Sequence, residues 1–410
     1  MMPRFRSAFV ASLGTIASAA IGTPAQSMFD RAMVIDREGE THIGAIEAID
    51  FAAGTVVMDN RSIEAAAVLN AASSISENAT LATELSPPDS YSTSRLHRIA
   101  EARNLGILVT TAGDRFPGKL GKASSESRVA WAHPHFDGLE FPIESISVLA
   151  INQIDELVAS AQTPVEDRLV LQNRDTMEGL VLDLQPQQME FENSSGAQII
   201  LETERVRAIE FANPRETVPS EPRLWLDEGT VITSEGQLDL MSTDTIMINT
   251  FEVPTVLIRA IAFDASEIVP LIDVRLLKRE SLGSFRLLPD FVVTAHPDDG
   301  PTLPATALSL RDIHLAGPQR LVFQAPEKAR RLIFAASIPA AADYNTDCSI
   351  IVRNALGSEL SRVSLSTAQP GPVNVNVTID GGSEFVIELD EGANGPIGDA
   401  VTLSRPMVLQ

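Results

Sequence analysis

Four segments of this chain repeat one pattern of alternation, and that pattern leaves room for little except sheet. They are AMVIDREGETHIGAIEAIDF (32–51), ILVTTAGDRFPGKLGKAS (107–124), RLVLQNRDTMEGLVLDLQ (168–185) and RLWLDEGTVITSEGQLDLM (223–241). In each, apolar and polar residues alternate with a period of two, which turns one face of a strand toward a core. A polar tip follows at Glu38-Gly39, Gly113-Asp114, Arg174-Asp175 or Glu228-Gly229, and then a return strand carrying Gly44, Gly118, Gly179 or Gly236. Strand, polar tip and strand is the signature of a β-hairpin. A glycine at a fixed place in the return strand predicts a bulge or sharp bend there.

After each hairpin come two or three more short alternating runs, such as SRVAWAHP, GLEFPI and SISVLAIN in the second unit. So many short strands in so little chain cannot bury an open sheet, and the stable solution is a small curled barrel. By pattern alone the units resemble small SH3-like or Sm-like barrels, a likeness that carries no activity with it. The expected organisation is an all-β chain: repeats over 28–75, 105–155, 156–217 and 218–265, then a β-sandwich (jelly-roll-like) module over 266–410. Residues 76–104 are rich in Ser, Thr, Asn and Pro and read as a linker, with RLHRIAEARN as a possible short helix.

The first residues read as a targeting segment, 1–27. Arg4 and Arg6 precede an apolar run, Ala8–Ile21, that ends in small residues suited to a signal peptidase. That run falls short of the about 20 apolar residues a spanning helix needs, and no later run approaches it, so no transmembrane segment is expected in the mature chain. The reading is therefore an exported protein: periplasmic, at the cell surface or secreted. With 55 acidic against 31 basic residues the formal net charge is −24. That charge repels phosphate backbones and excludes nucleic acid as a partner. Cys348 is the only cysteine, so an exported fold has no intrachain disulfide and rests on packed cores.

Beyond about Ala265 the strands lengthen: RRLIFAASIP, CSIIVRNA, GPVNVNVTI and SEFVIELDEG, separated by turns such as DGG (380–382) and GANGPIGD (392–399). This spacing argues for two packed sheets. Over roughly 270–410 the sequence resembles the NPCBM module, a carbohydrate-binding domain attached to family-98 glycoside hydrolases. The resemblance implies a β-sandwich that binds sugar. It matches the family's acidic residue before the last strand to Asp399, and its apolar strand pattern to Leu332, Ile333 and Phe334 and to Ile350, Ile351 and Val352. Two departures stand out: Ala400-Val401-Thr402 where the family carries an aromatic, and AAADYNTDC in place of a glycine-rich approach to the second strand.

Three places invite a functional reading. AHPDDG (295–300) resembles the zinc motif of LmbE-like N-acetylglucosamine deacetylases, with His296, Asp298 and Asp299 as ligands of a metallohydrolase. Gly300 stands where that family has glutamate, and no βαβ pattern follows, so Pro297-Asp298-Asp299-Gly300 reads as a turn. In WAHPHFDG, His133 and His135 form a His-x-His pair, but Pro134 and Gly138 again favour a turn. No nucleophile motif, phosphate loop or dinucleotide fingerprint occurs, so no catalytic residue, metal or cofactor is expected. Sugar recognition rests on aromatic faces and polar side chains that reach hydroxyls. Trp131 and Trp225 alternate within strands and read as core. Tyr344 in the polar loop DYNTD, with Asp343, Asn345 and Asp347, joins Asp399 as the expected carbohydrate site.

These readings give a non-enzymatic exported protein that binds or organises polysaccharide. The rival is a protein–protein scaffold that offers its barrel edges to partners by strand addition.

Overall fold

A computed structural model describes residues 29–70, 105–122, 127–151, 164–214, 216, 220–235, 238–242, 244–282, 291–295, 307–339, 346–393, 395 and 399–410. The fold is all-β, with every sheet antiparallel. Among the described residues each helical segment is a three-residue 3-10 turn, and no helix is long and apolar enough to cross a membrane.

The first unit closes on itself. Strands β1 (Phe29–Asp36), β2 (Thr41–Asp50), β3 (Thr55–Met58) and β4 (Arg61–Asn70) pair in sequence, and β4 returns to β1. The second runs β5 (Gly106–Thr110), β6 (Arg115–Leu120), β7 (Arg128–Ala132), β8 (Leu139–Pro142) and β9 (Ile146–Ala150), with β9 back on β5. The third, β10 (Asp167–Leu171) through β11 (Thr176–Leu184), β12 (Gln188–Asn193), β13 (Gln198–Glu202) and β14 (Val206–Glu210), closes by pairing β14 with β10. In the fourth, β15 (Arg223–Leu226) pairs with β16 (Val231–Thr233) and with β20 (Ile258–Ala262), and β17 (Asp239–Ser242), β18 (Thr245–Ile248) and β19 (Phe251–Pro254) form a separate three-stranded sheet. Units two, three and four each insert a 3-10 turn before the last strand, at Ile143–Ser145, Thr203–Arg205 and Thr255–Leu257. Pro142 and Pro254 introduce two of these turns with the φ that proline fixes.

Two of the return-strand glycines, Gly118 and Gly179, do something other than bulge, while Gly236 lies outside the described residues. A Cβ on Gly179 would lie 2.0 Å from the Glu192 carbonyl oxygen, and one on Gly118 would lie 2.4 Å from Trp131 Nε1. They permit close backbone approach, while the irregularity in the ladder comes further on, between Val181 and Asp183. At Gly44 the expected irregularity is present: the β1–β2 register shifts between Phe29 and Ala32, opposite Ile46 and Gly44, and the β2–β3 register shifts between Ile46 and Ala48.

The units are not beads on a string. Strand β4 pairs with β20, joining units one and four; β6 touches β16 at Val231↔Arg115, joining two and four; β9 pairs with β14, joining two and three. A short sheet edge presents unpaired N–H and C=O groups, and here those edges satisfy one another. The edges that the scaffold reading offered to outside partners at β4, β6, β9, β14, β16 and β20 are thus occupied within the chain.

Two further sheets make the sandwich. One contains β22 (Leu276–Ser281), β25 (Gln319–Gln324), β30 (Glu384–Glu391), β27 (Asp347–Asn354) and β28 (Glu359–Ser366), in that order. The other contains β23 (Phe291–Ala295), β24 (Arg311–Ala316), β31 (Ala400–Leu409), β26 (Arg331–Ser337) and β29 (Val373–Thr378), with β21 (Ile268–Pro270) also on β31. Alternate residues of both sheets meet in one core that includes Leu321, Phe334, Ile350, Ile387 and Leu403, all at most 2% exposed. Phe323 and Phe385, directly opposite in the ladder, stack at 5.3 Å. A third apolar cluster joins the sandwich to the barrels: Ile35, Leu69 and Trp225 pack with Ile333, Met407 and Leu409. Arg331 donates to Glu38 at 3.0 Å beside it, and the Asn376 amide donates to the Glu38 carbonyl.

Candidate functional site

Of the five residues expected to bind sugar, the structure describes Asp347 and Asp399 and brings them together; Asp343, Tyr344 and Asn345 lie outside the described residues. Asp347 opens β27 and Glu391 closes β30, neighbouring strands of one sheet in which Cys348 stands opposite Glu391. Asp399 immediately precedes β31 of the other sheet. Glu391 and Asp399 therefore lie in different sheets at one rim of the sandwich, and three carboxylates collect there.

Local contacts set this rim. Asp347 Oδ2 accepts from the Ala393 N–H at 2.8 Å. A Cβ on Gly392 would stand 2.1 Å from the Asp347 carbonyl oxygen, so only glycine allows that approach. The Gly317 N–H donates to the Asp399 carbonyl oxygen at 2.7 Å and fixes its backbone. The Asp399 side chain is treated differently. The residue is 3% exposed, and among the described residues neither carboxylate oxygen has a partner in hydrogen-bond geometry, the Asp347 amide exerting only the smallest of the influences on it. Burial raises its pKa to about 6, the Asp347 and Glu391 charges add to the rise, and the Asp347 amide offsets them only in part. Burial, helped by the Asp399 and Asp347 charges, pushes the Cys348 thiol up to about 12, which leaves that cysteine an inert core residue.

Ionised carboxylates only accept hydrogen bonds, so this rim suits a ligand that brings donors. Among the described residues no group of three His, Cys, Asp or Glu side chains is placed to hold a metal ion. That leaves hydroxyl or ammonium donors as the matching chemistry.

On the outer face of the same sheet, Glu388 receives Arg320 Nε at 2.7 Å and Arg353 Nε at 2.8 Å. Burial pushes its pKa up, but the two guanidinium groups more than offset this and hold it low.

The His-x-His pair proves structural in one half. His133 Nδ1 accepts from the backbone N–H groups of His135 and Phe136, so the ring proton sits on Nε2 and is donated to Thr230 Oγ1 at 2.8 Å. Thr230 donates in turn to Glu228 Oε1 at 2.6 Å. With both nitrogens engaged and burial lowering its pKa to about 3, His133 is a neutral link between units two and four and offers no lone pair to a metal. The ring lies stacked on Phe136 at 4.6 Å. Trp131 and Trp225 are core residues, as their alternation indicated, and Trp131 Nε1 donates to the Phe116 carbonyl at 2.8 Å. His296, Asp298 and Asp299 lie outside the described residues. The strand that leads to them, β23, runs antiparallel to β24 rather than opening a βαβ unit.

Sequence reasoning missed Glu391 and the glycine beside it, because the rim they share with Asp347 exists only once β27 pairs with β30.

The chain matches no family model and no curated protein. Among solved structures, 34% of it aligns with 99% of the CBM51 module of Clostridium perfringens GH95 in complex with methyl-galactose, at 10% identity and a TM-score of 0.28. The tandem CBM51 modules of the family 98 glycoside hydrolase Sp3GH98 from Streptococcus pneumoniae align over 72% of this chain and 88% of their own, at 11% identity and a TM-score of 0.28. CsCBM6-3 from Clostridium stercorarium in complex with cellobiose aligns over 35% and 92%, at 12% identity and a TM-score of 0.21. Likeness at this level does not assign a ligand, which has to be argued from the residues.

Proposed function

We propose that this is a non-catalytic, exported carbohydrate-binding protein that attaches to envelope or extracellular polysaccharide through the sandwich rim at Asp347 and Asp399. The observation that carries the reading is Asp399: a carboxylate held out of water, with no partner in hydrogen-bond geometry among the described residues, beside two like charges. Buried polar groups normally find partners, and one left without them is retained at a cost to stability. The Asp399 oxygens are themselves closed to solvent, so sugar hydroxyls donate at the open side of the rim, to Asp347 and Glu391, within the field that Asp399 sets. Asp347, half-buried at the head of β27, is an acceptor within reach of solvent, and Asp343, Tyr344 and Asn345 precede it in the sequence with only Thr346 between. The resemblance of 270–410 to a carbohydrate-binding module points the same way.

The test is a polysaccharide panel read by affinity electrophoresis on the full chain, because the sandwich shares a core with units one and four. Retardation by at least one glycan, lost in Asp347→Ala, is the expected result. A chain that migrates identically with every glycan removes the proposal.

A further inference from the structure

The rim that collects Asp347, Glu391 and Asp399 has a sign as well as a shape. From that sign we infer that the site selects amino sugars carrying a free, protonated amine over N-acetylated sugars and over uronic acids. This rests on the carbohydrate-binding reading and narrows its ligand class.

Asp399 is the independent mark of a ligand here. It is 3% exposed, among the described residues neither oxygen has a partner in hydrogen-bond geometry, the Asp347 amide offsets the like charges only in part, and those charges are the carboxylates of Asp347 and Glu391, with no cation among them. The contrast lies on the same sheet, where Glu388 sits between two arginines that neutralise it. A neutral glycan satisfies hydrogen bonds at the rim but leaves its charge uncompensated. A uronate adds a further like charge. An ammonium offers three donors and one positive charge together, and charge-assisted hydrogen bonds are about twice as strong as neutral ones. Its contacts are Asp347 and Glu391, which meet solvent, with Asp399 behind them as a fixed negative charge. A hard metal cation answers the same sign, but among the described residues no three acidic or His side chains are placed to hold one.

Charge compensation also fixes the pH dependence. Below about 6 Asp399 takes up a proton and the field weakens. Above neutrality the sugar amine loses its own proton. Affinity for the amine therefore passes through a maximum between these limits, a profile that neutral hydroxyl recognition does not produce.

The experiment is isothermal titration of the full chain with glucosamine pentaose and N-acetylglucosamine pentaose at pH 5, 6.5 and 8.5. Each is run with calcium or EDTA, and a pentalysine peptide serves as a control. The expected result is binding of the glucosamine oligomer about ten-fold tighter than its N-acetyl counterpart at pH 6.5. The gap narrows at pH 5 and 8.5, EDTA has no effect, and Asp399→Asn or Asp347→Asn erases the preference. Equal affinity for the two oligomers overturns this inference and leaves the carbohydrate reading standing. Binding that EDTA abolishes, or pentalysine binding as tight as the glucosamine oligomer, also overturns it. Failure to bind any glycan overturns both.

Discussion

Replacing Asp399 with asparagine should make the protein more stable at pH 8, which is the reverse of what most substitutions at a 3%-exposed position do. In the unfolded chain the carboxyl titrates at its ordinary 3.8, and in the folded protein at about 6. Between those values the folded state holds the extra proton. The stability this supplies is complete below 3.8 and lost as pH rises through about 6. At about 1.36 kcal/mol per pH unit of difference, the ionised form costs up to ~3 kcal/mol at pH 8. The group lies just beneath the surface, where water screens its neighbours, so ~1–2 kcal/mol is the expected net figure. Asparagine keeps the shape and never carries the charge. Urea denaturation of wild type and Asp399→Asn at pH 4, 6 and 8 reads the difference directly. The two should coincide at pH 4, with the variant ahead at pH 8. A variant that is equally or less stable at pH 8, with an unchanged dependence on pH, refutes the idea that this carboxylate is strained by its surroundings.

Three other outcomes follow from the contacts described. Thr230→Val leaves His133 Nε2–H and Glu228 Oε1 buried without their shared partner and should cost about 1–3 kcal/mol by denaturant midpoint; an unchanged midpoint contradicts the link between units two and four. Gly179→Ala drives a Cβ to 2.0 Å from the Glu192 carbonyl and should destabilise by at least about 1–3 kcal/mol in thermal unfolding; wild-type behaviour would mean that β11 and β12 do not pair so closely. Cys348, 3% exposed with its thiol pushed up to about 12, should resist iodoacetamide at pH 8 until the chain is denatured, as read by mass spectrometry.

How much of this was legible in the sequence follows from what is local and what is not. The hairpin tips at Glu38-Gly39, Gly113-Asp114, Arg174-Asp175 and Glu228-Gly229 all join consecutive paired strands, because alternation and turn chemistry act over a few residues. Proline before the 3-10 turns, at Pro142 and Pro254, was a signal present in the sequence and not used. The joining of β4 to β20 and of β9 to β14 had no local signal, since strand pairing is decided by which edges remain open once each barrel has formed. The same applies to the site. Asp399 was reached through a family resemblance and Asp347 through its polar loop, whereas Glu391 became visible only with the β27–β30 register. Gly44 lies at a register shift as its place in the return strand indicated, whereas Gly118 and Gly179 make room for a neighbouring strand rather than bulge themselves.

The measurement that bears most directly on the whole account is a crystal structure of the full chain soaked with the glycan it binds best. The account predicts sugar density at the sandwich rim, with a hydroxyl or amine of the ligand within hydrogen-bond distance of Asp347. Density confined to the barrels, or to the Arg320–Glu388–Arg353 face, with the rim empty, would contradict it.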